Sequence, residues 1–96
     1  MLEINKSDVF FLSDNAFLQK LEELRKYWVF NIETGEHYSL NETSYWILEQ
    51  IALNLPIESI LSDLVDIYDV DEEQSKNDLD ETINKFLKEK IIKRRE

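Results

Sequence analysis

The sequence predicts an α+β domain: a three-stranded antiparallel sheet followed by three helices, the layout of a winged helix-turn-helix. Three observations carry this. Aromatic and β-branched residues crowd the stretch before residue 41, on either side of a Thr-Gly turn. After Asn41, apolar residues recur at helical spacing in three separate runs. Only one Gly and one Pro occur in 96 residues, so the few breaks that exist are informative.

Tyr27-Trp28-Val29-Phe30 reads as a strand, and Asn31-Ile32-Glu33-Thr34-Gly35 as the turn after it, with Gly35 free to take positive φ. His37-Tyr38-Ser39-Leu40 alternates polar and apolar, as a half-buried strand does. Residues 16–26 fit two descriptions. Phe17, Leu18, Leu21 and Leu24 have helical spacing, yet a lone hairpin is marginal and a third strand would support it, so 16–21 is read as the first strand of a meander. Asn41 is a good N-cap, and a first helix is expected over about Glu42–Leu53. Pro56 marks a new start, followed by the stripe Ile57, Ile60, Leu61, Leu64, Val65 and Tyr68 of a second helix. Asp71 caps a third, with Gln74 placed for a capping box and Leu79, Ile83, Phe86 and Leu87 on its apolar face. Ile91-Ile92 is left as a short packed tail.

The length suits one domain, 1–96, with an N-terminal arm at 1–15 and a basic tail at 93–96. Cysteine is absent, which excludes disulfides, thiolate metal sites and a cysteine nucleophile, and fits a reducing cytoplasm. No signal peptide or membrane span is visible, so a cytoplasmic location is expected. The net charge is −10, and no Lys or Arg occurs from Tyr27 to Ser75. Such a body repels phosphate backbones, so no nucleic-acid partner is expected, and its simplest role is solubility.

The residues offer little chemistry. The many carboxylates fall at positions expected to face solvent, without the burial or partner that tunes a general acid or base. His37 is the one histidine, so zinc would need three carboxylates. Asp66–Glu73 is acidic but lacks the glycine and ligand spacing of a calcium loop. One glycine cannot build a phosphate loop. Trp28, Trp46, Tyr38 and Tyr45 suit core and sheet packing rather than base stacking, since no basic groove surrounds them. The segment that would enter a major groove, Asp71–Glu81, carries acids where phosphate contacts would be needed. The expectation is a non-enzyme with no cofactor and no metal. What remains is protein or peptide binding: the edge strand of a small sheet can accept another strand. The bland reading is that residues 1–15, through Val9-Phe10-Phe11-Leu12, cover that edge themselves.

The ordered run Val29-Phe30-Asn31-Ile32-Glu33-Thr34-Gly35-Glu36-His37-Tyr38-Ser39-Leu40-Asn41-Glu42-Thr43 resembles the signature of the PqqD-like family: an apolar strand, a Thr-Gly turn, an aromatic, then Leu-Asn and a helix-opening Thr. Trp46-Ile47-Leu48-Glu49, Ile57–Leu64, Tyr68-Asp69-Val70-Asp71 and Asp78-Leu79 continue the likeness, which covers about residues 16–92. Two positions depart from it. Lys90 stands where a glycine often precedes the closing Leu-Ile, and Pro56 where a Ser or Thr usually opens the second helix.

The resemblance implies a peptide chaperone. Such domains bind the leader of a ribosomally made precursor peptide by strand addition and present it to a modifying enzyme. That enzyme can be a radical-SAM protein, cyclodehydratase, dehydratase or leader peptidase, in pyrroloquinoline quinone synthesis or another peptide pathway. Carried onto this chain, one side of the slot would be His37, Tyr38, Ser39 and Leu40. The other would be Asp78, Thr82, Ile83, Lys85, Phe86 and Glu89, with Ile83 and Phe86 expected to be partly core. The basic stretch Lys88–Arg95 could attract acidic leader residues, against the simpler reading of helix-end charge. The rivals are a winged-helix transcription regulator and a self-associating assembly subunit, so a homodimer is an open possibility.

Overall fold

A computed structural model describes residues 3–94. Met1 and Leu2 of the expected arm, and Arg95 and Glu96 of the expected basic tail, lie outside the described residues. Two sheets and three helices form in the order β1 (Phe10–Leu12), β2 (Ala16–Leu21), β3 (Lys26–Asn31), β4 (His37–Leu40), α1 (Glu42–Ala52), α2 (Ile57–Tyr68), α3 (Glu72–Lys88) and β5 (Ile92–Arg94). The main sheet is the expected antiparallel meander β2-β3-β4, and the fold is the α+β winged helix-turn-helix.

The two readings of residues 16–26 are resolved by pairing. Ala16–Leu21 lies against Lys26–Asn31 in register along its whole length. Glu22–Leu24 is a single 3-10 turn, closed by Arg25 at φ 51. Of the residues whose spacing looked helical, Phe17, Leu21 and Leu24 are therefore exposed, Leu24 at 65%, while Leu18 alone packs against the core. At the β3–β4 turn, Asn31 Oδ1 accepts from the amides of Glu33 (3.0 Å) and Thr34 (3.4 Å), and Gly35 takes φ 78. This Asx-type bonding satisfies amides that the ladder leaves behind.

The caps follow residue type. Asn41 accepts from the Ser44 amide (2.7 Å) and Asp71 from the Gln74 amide (3.1 Å). The reciprocal half of a capping box is replaced at α3: Gln74 Nε2 donates forward to Asp78 Oδ1 (3.0 Å). Pro56 has no side chain to cap α2, and the arm supplies what is missing. The amides of Ile57 and Glu58 donate to the carbonyls of Asp8 (2.9 Å) and Lys6 (2.8 Å), filling two of the orphan donors of the first turn. At the end of α3, Lys90 takes φ 60, its amide bonds Leu87 O (3.1 Å), and the Ile91 amide bonds Phe86 O (3.0 Å). This is a Schellman close, in which a glycine would be unstrained. The geometry is kept and a lysine carries the strain.

Two features were not expected. Ile92–Arg94 is a strand, paired antiparallel with Phe10–Leu12. Lys93 and Arg94 therefore belong to a clasp, not a free tail. Arg94 forms an ion pair with Asp8, donates to Glu3 O (3.1 Å) and lies over the Phe10 ring at 5.8 Å. The arm is pinned again by Lys76 Nζ, which donates to Ile4 O (2.9 Å) and pairs with Asp80. The arm thus lies across the helices and β5, and among the described residues no strand pairs with the outer edge of β4.

One core joins these parts. Val29 from the sheet, Leu48 and Ile51 from α1, Ile60 from α2, Leu79, Ile83 and Phe86 from α3, and Phe10 and Ile91 from the clasp are all buried within it. Two outcomes are expected. Phe10, at 1% exposure, fills core volume from the arm, so Phe10→Ala should lower stability by about 3–5 kcal/mol in denaturant unfolding; a loss below about 1 kcal/mol would mean that the arm is not part of the core. Lys90→Gly should raise stability by about 0.5–1 kcal/mol in the same assay, the relief of a left-handed side chain less the glycine's extra chain entropy.

Candidate functional site

The open edge of β4 is built by alternation. The Asn31 amide donates to Glu36 O (2.8 Å), just before the strand, and the register then runs Phe30↔His37, Val29↔Tyr38, Trp28↔Ser39, Tyr27↔Leu40. Antiparallel pairs alternate between bonded and non-bonded. Tyr38 and Leu40 therefore turn their main-chain groups to β3, while His37 and Ser39 turn theirs outward. Side chains alternate the other way: His37 and Ser39 are exposed, and Tyr38 and Leu40 pack on the core. The edge offers main-chain donors and acceptors to solvent while its inward side chains hold it rigid.

α3 carries one stripe outside its buried face. Asp78, Thr82, Lys85 and Glu89 follow one another at four-, three- and four-residue steps, beside the buried stripe Leu79, Ile83 and Phe86. Glu89 is close enough to Tyr38 and Glu36 to interact with them electrostatically, and Asp78 and Thr82 share a cavity with Thr43, which opens α1 just after β4.

Of the residues expected at the slot, His37, Tyr38, Ser39 and Leu40 form β4, and Asp78, Thr82, Lys85 and Glu89 share one stripe of α3. Ile83 and Phe86, at 0% and 1% exposure, do not reach the surface and belong to the core. Thr82 Oγ1 donates back to Asp78 O (2.9 Å), so its hydroxyl is engaged within the helix. His37 sets its ring 5.8 Å from that of Phe30, on the outer face of the sheet.

Four residues near these elements were not among those expected at the slot. Glu36 accepts a short hydrogen bond from the Tyr38 hydroxyl, which with partial burial pushes that phenol up to about 12. Thr43 and Tyr68 close the far end, Thr43 Oγ1 donating to Tyr68 Oη (3.2 Å). Ser75 Oγ is buried there without a partner. The signal for Glu36 was its place beside an edge strand; Thr43 and Tyr68 are far apart in sequence and carry none.

At the other end, Glu89 Oε1 is buried without a hydrogen-bond partner. Burial holds the Glu89 carboxyl above its ordinary value against the opposing pull of Lys85, with a smaller repulsion from Glu36 and a smaller attraction from Lys88. Among the described residues no group of three or more His, Asp or Glu could hold a metal ion, and no helix is long and apolar enough to cross a membrane.

Residues 26–92 match the family described as Coenzyme PQQ synthesis protein D. The chain belongs to the PqqD family. No curated protein matches it closely enough to count as a relative. Among solved structures, TbiB1 in complex with the TbiA(beta) leader peptide superposes with a TM-score of 0.79 at 16% identity, over 86% of this chain and 94% of that one. At that identity the likeness carries the fold, over a larger share of the chain than the family match covers.

The Glu89 environment sets a pH dependence. A carboxyl held above its ordinary value binds its proton more tightly folded than unfolded. Its contribution is therefore complete at low pH and is lost as pH rises through the folded value. Glu89→Gln should melt higher than the parent at pH 7, with the difference closing as pH falls toward 4 in thermal scans. An equal difference at both pH values would remove the burial argument.

Proposed function

We propose that this chain is a non-enzymatic peptide-binding protein that takes the leader segment of a ribosomally made precursor peptide as an added strand on β4, and presents it to a modifying enzyme. The observation that carries this reading is the outer edge of β4, with outward main-chain groups at His37 and Ser39, and with Glu89 of α3 near Tyr38 and Glu36. Strand addition draws affinity from those groups and selectivity from side chains that point alternately into the groove. The groove is about four or five strand residues long, enough for a short recognition segment rather than a whole precursor. TbiB1, of the same fold, is bound to a leader peptide, which supports the assignment by analogy of architecture.

The exposed acids at the start of α3, Asp71, Glu72 and Glu73, weigh against the regulator reading, because a recognition helix meets phosphates there. Arg94 is engaged with Asp8 in the clasp, so attraction of acidic leader residues would fall to the exposed Lys85, Lys88, Lys90 and Lys93.

The test is a proline on the edge. Ser39→Pro removes an outward amide and no bond to β3, and edge strands tolerate proline in that orientation. Calorimetric titration with the leader half of a precursor peptide encoded beside the gene should show an affinity about tenfold or more below that of the parent, with the melting temperature kept. Unchanged affinity in a folded variant would exclude strand addition at β4.

A further inference from the structure

The main sheet has a second edge, along β2. The Ile32 amide donates to Asn15 O (2.9 Å), and the register then runs Phe17↔Phe30, Gln19↔Trp28, Leu21↔Lys26. By the alternation of an antiparallel ladder, Phe17, Gln19 and Leu21 turn their main-chain groups to β3, while Leu18 and Lys20 turn theirs outward. Among the described residues no strand pairs with that side of β2. We propose that it is a homodimer interface, at which β2 pairs antiparallel with β2 of a second copy of this chain about a two-fold axis at Gln19.

Three observations select a second copy and this register. The first is that nothing blunts the edge. Exposed edges are ordinarily protected by a proline, a bulge or an inward-pointing charge. Ala16–Leu21 contains no proline, and its pairing with β3 runs without a bulge. Its one inner-face charge, Lys20, is drawn aside by Glu22 (2.8 Å) and by Glu49 of α1 (3.8 Å).

The second is charge. The chain carries a net −10, and residues 27–75 include eleven acids and no Lys or Arg. Two copies meeting at β4 would bring such surfaces together. Residues 13–26 instead hold three acids, Asp14, Glu22 and Glu23, against three bases, Lys20, Arg25 and Lys26. β2 is the edge at which like copies approach without net repulsion.

The third is side-chain pairing, since two-fold symmetry makes every contact reciprocal. An axis at Lys20 sets two ammonium groups opposite each other, and an axis at Leu18 sets Phe17 opposite Gln19. An axis at Phe17 leaves only Ala16–Leu18 in strand, with the Ala16 amide already bonded to Ser13 O (3.0 Å). An axis at Gln19 sets Phe17 opposite Leu21 twice, and these are 51% and 45% exposed in the single chain. That register joins apolar to apolar and covers surface that otherwise faces water. It also carries Arg25 of one copy toward Asp14 of the other, whose carboxylate is 94% exposed and holds Lys93 at 3.9 Å. The resulting sheet has six strands with a β4 edge at either end, so both grooves stay open, and the interface does not depend on the groove reading.

The experiment is analytical ultracentrifugation of the full chain from micromolar to millimolar concentration. The parent should pass from monomer to dimer over that range, as an interface at the small end of the size scale does. Lys20→Pro removes an outward amide and no bond to β3, and should stay monomeric with its melting temperature kept. Lys20→Ala, which loses the same side chain and keeps the amide, should still dimerise. Gln19→Glu and Gln19→Lys each place like charges at the axis and should each weaken the dimer at least tenfold, while an equimolar mixture of the two regains it. Ser39→Pro, on the other edge, should dimerise as the parent does. A parent monomeric at every concentration would overturn the proposal, as would a dimer that survives in folded Lys20→Pro. Loss of the dimer in Ser39→Pro would move self-association to β4, and its loss in Lys20→Ala would show that a side chain and not strand pairing holds it. A mixture of the two Gln19 variants that stays monomeric would overturn the axis at Gln19.

Discussion

The separation of β4 from α3 is fixed by a core that both elements share, and the candidate site has no shape without it. Val29 lies beneath the sheet, Ile83 and Phe86 beneath the helix, and Tyr38 and Leu40 close the space between. Interiors packed at crystal-like density transmit displacement rather than absorb it. A strand edge set in this way has its inward side chains immobilised while its outward main chain stays free. That is the condition for binding another strand without first ordering the site, and it keeps the entropic part of association small.

The openness of that edge depends in turn on where the N-terminal arm is used. The arm carries enough apolar surface to lie along β4, and a sheet edge is a place where a chain's own termini often pair. Here its other contacts are stronger claims. Phe10 enters the core, the carbonyls of Lys6 and Asp8 finish the first turn of α2, and Arg94 and Lys76 hold it from two sides. Pro56, which looked like a poor helix start, is compatible with α2 because main chain from the arm replaces a capping side chain. The same bonds that complete the helix keep the arm away from the groove.

Much of this was legible in the sequence, and the legible parts were local. Asn41 and Asp71 announce helix starts because their short acceptors reach the amide three residues on, and the alternation of His37–Leu40 gives the strand and its two faces. The stripe Asp78, Thr82, Lys85 and Glu89 is visible at helical spacing once the third helix is placed. The order of β-rich and helical segments, with the PqqD-like run across the turn, was enough for the family. What was hidden was long-range. Ile92–Arg94 is too short to show a period, and its partner strand lies at the other end of the chain. Residues 16–24 satisfied a helical count that tertiary pairing overrode. The hollow between Thr43 and Val70 arises from three helices meeting, and no spacing within any one of them encodes it.

The clasp of β1 with β5 has a consequence for how the molecule comes into being. Phe10 is made well before the strand that pairs with its own, Ile92–Arg94. On a ribosome the meander and helices can assemble in order as they emerge, since their contacts are mostly between neighbours in sequence. The arm must wait for its partner strand. Until β5 has emerged, the nascent domain exposes an aromatic ring and a β-rich segment, and both are covered when that strand pairs. The emergence of β5 therefore decides when this part of the chain can become a finished domain.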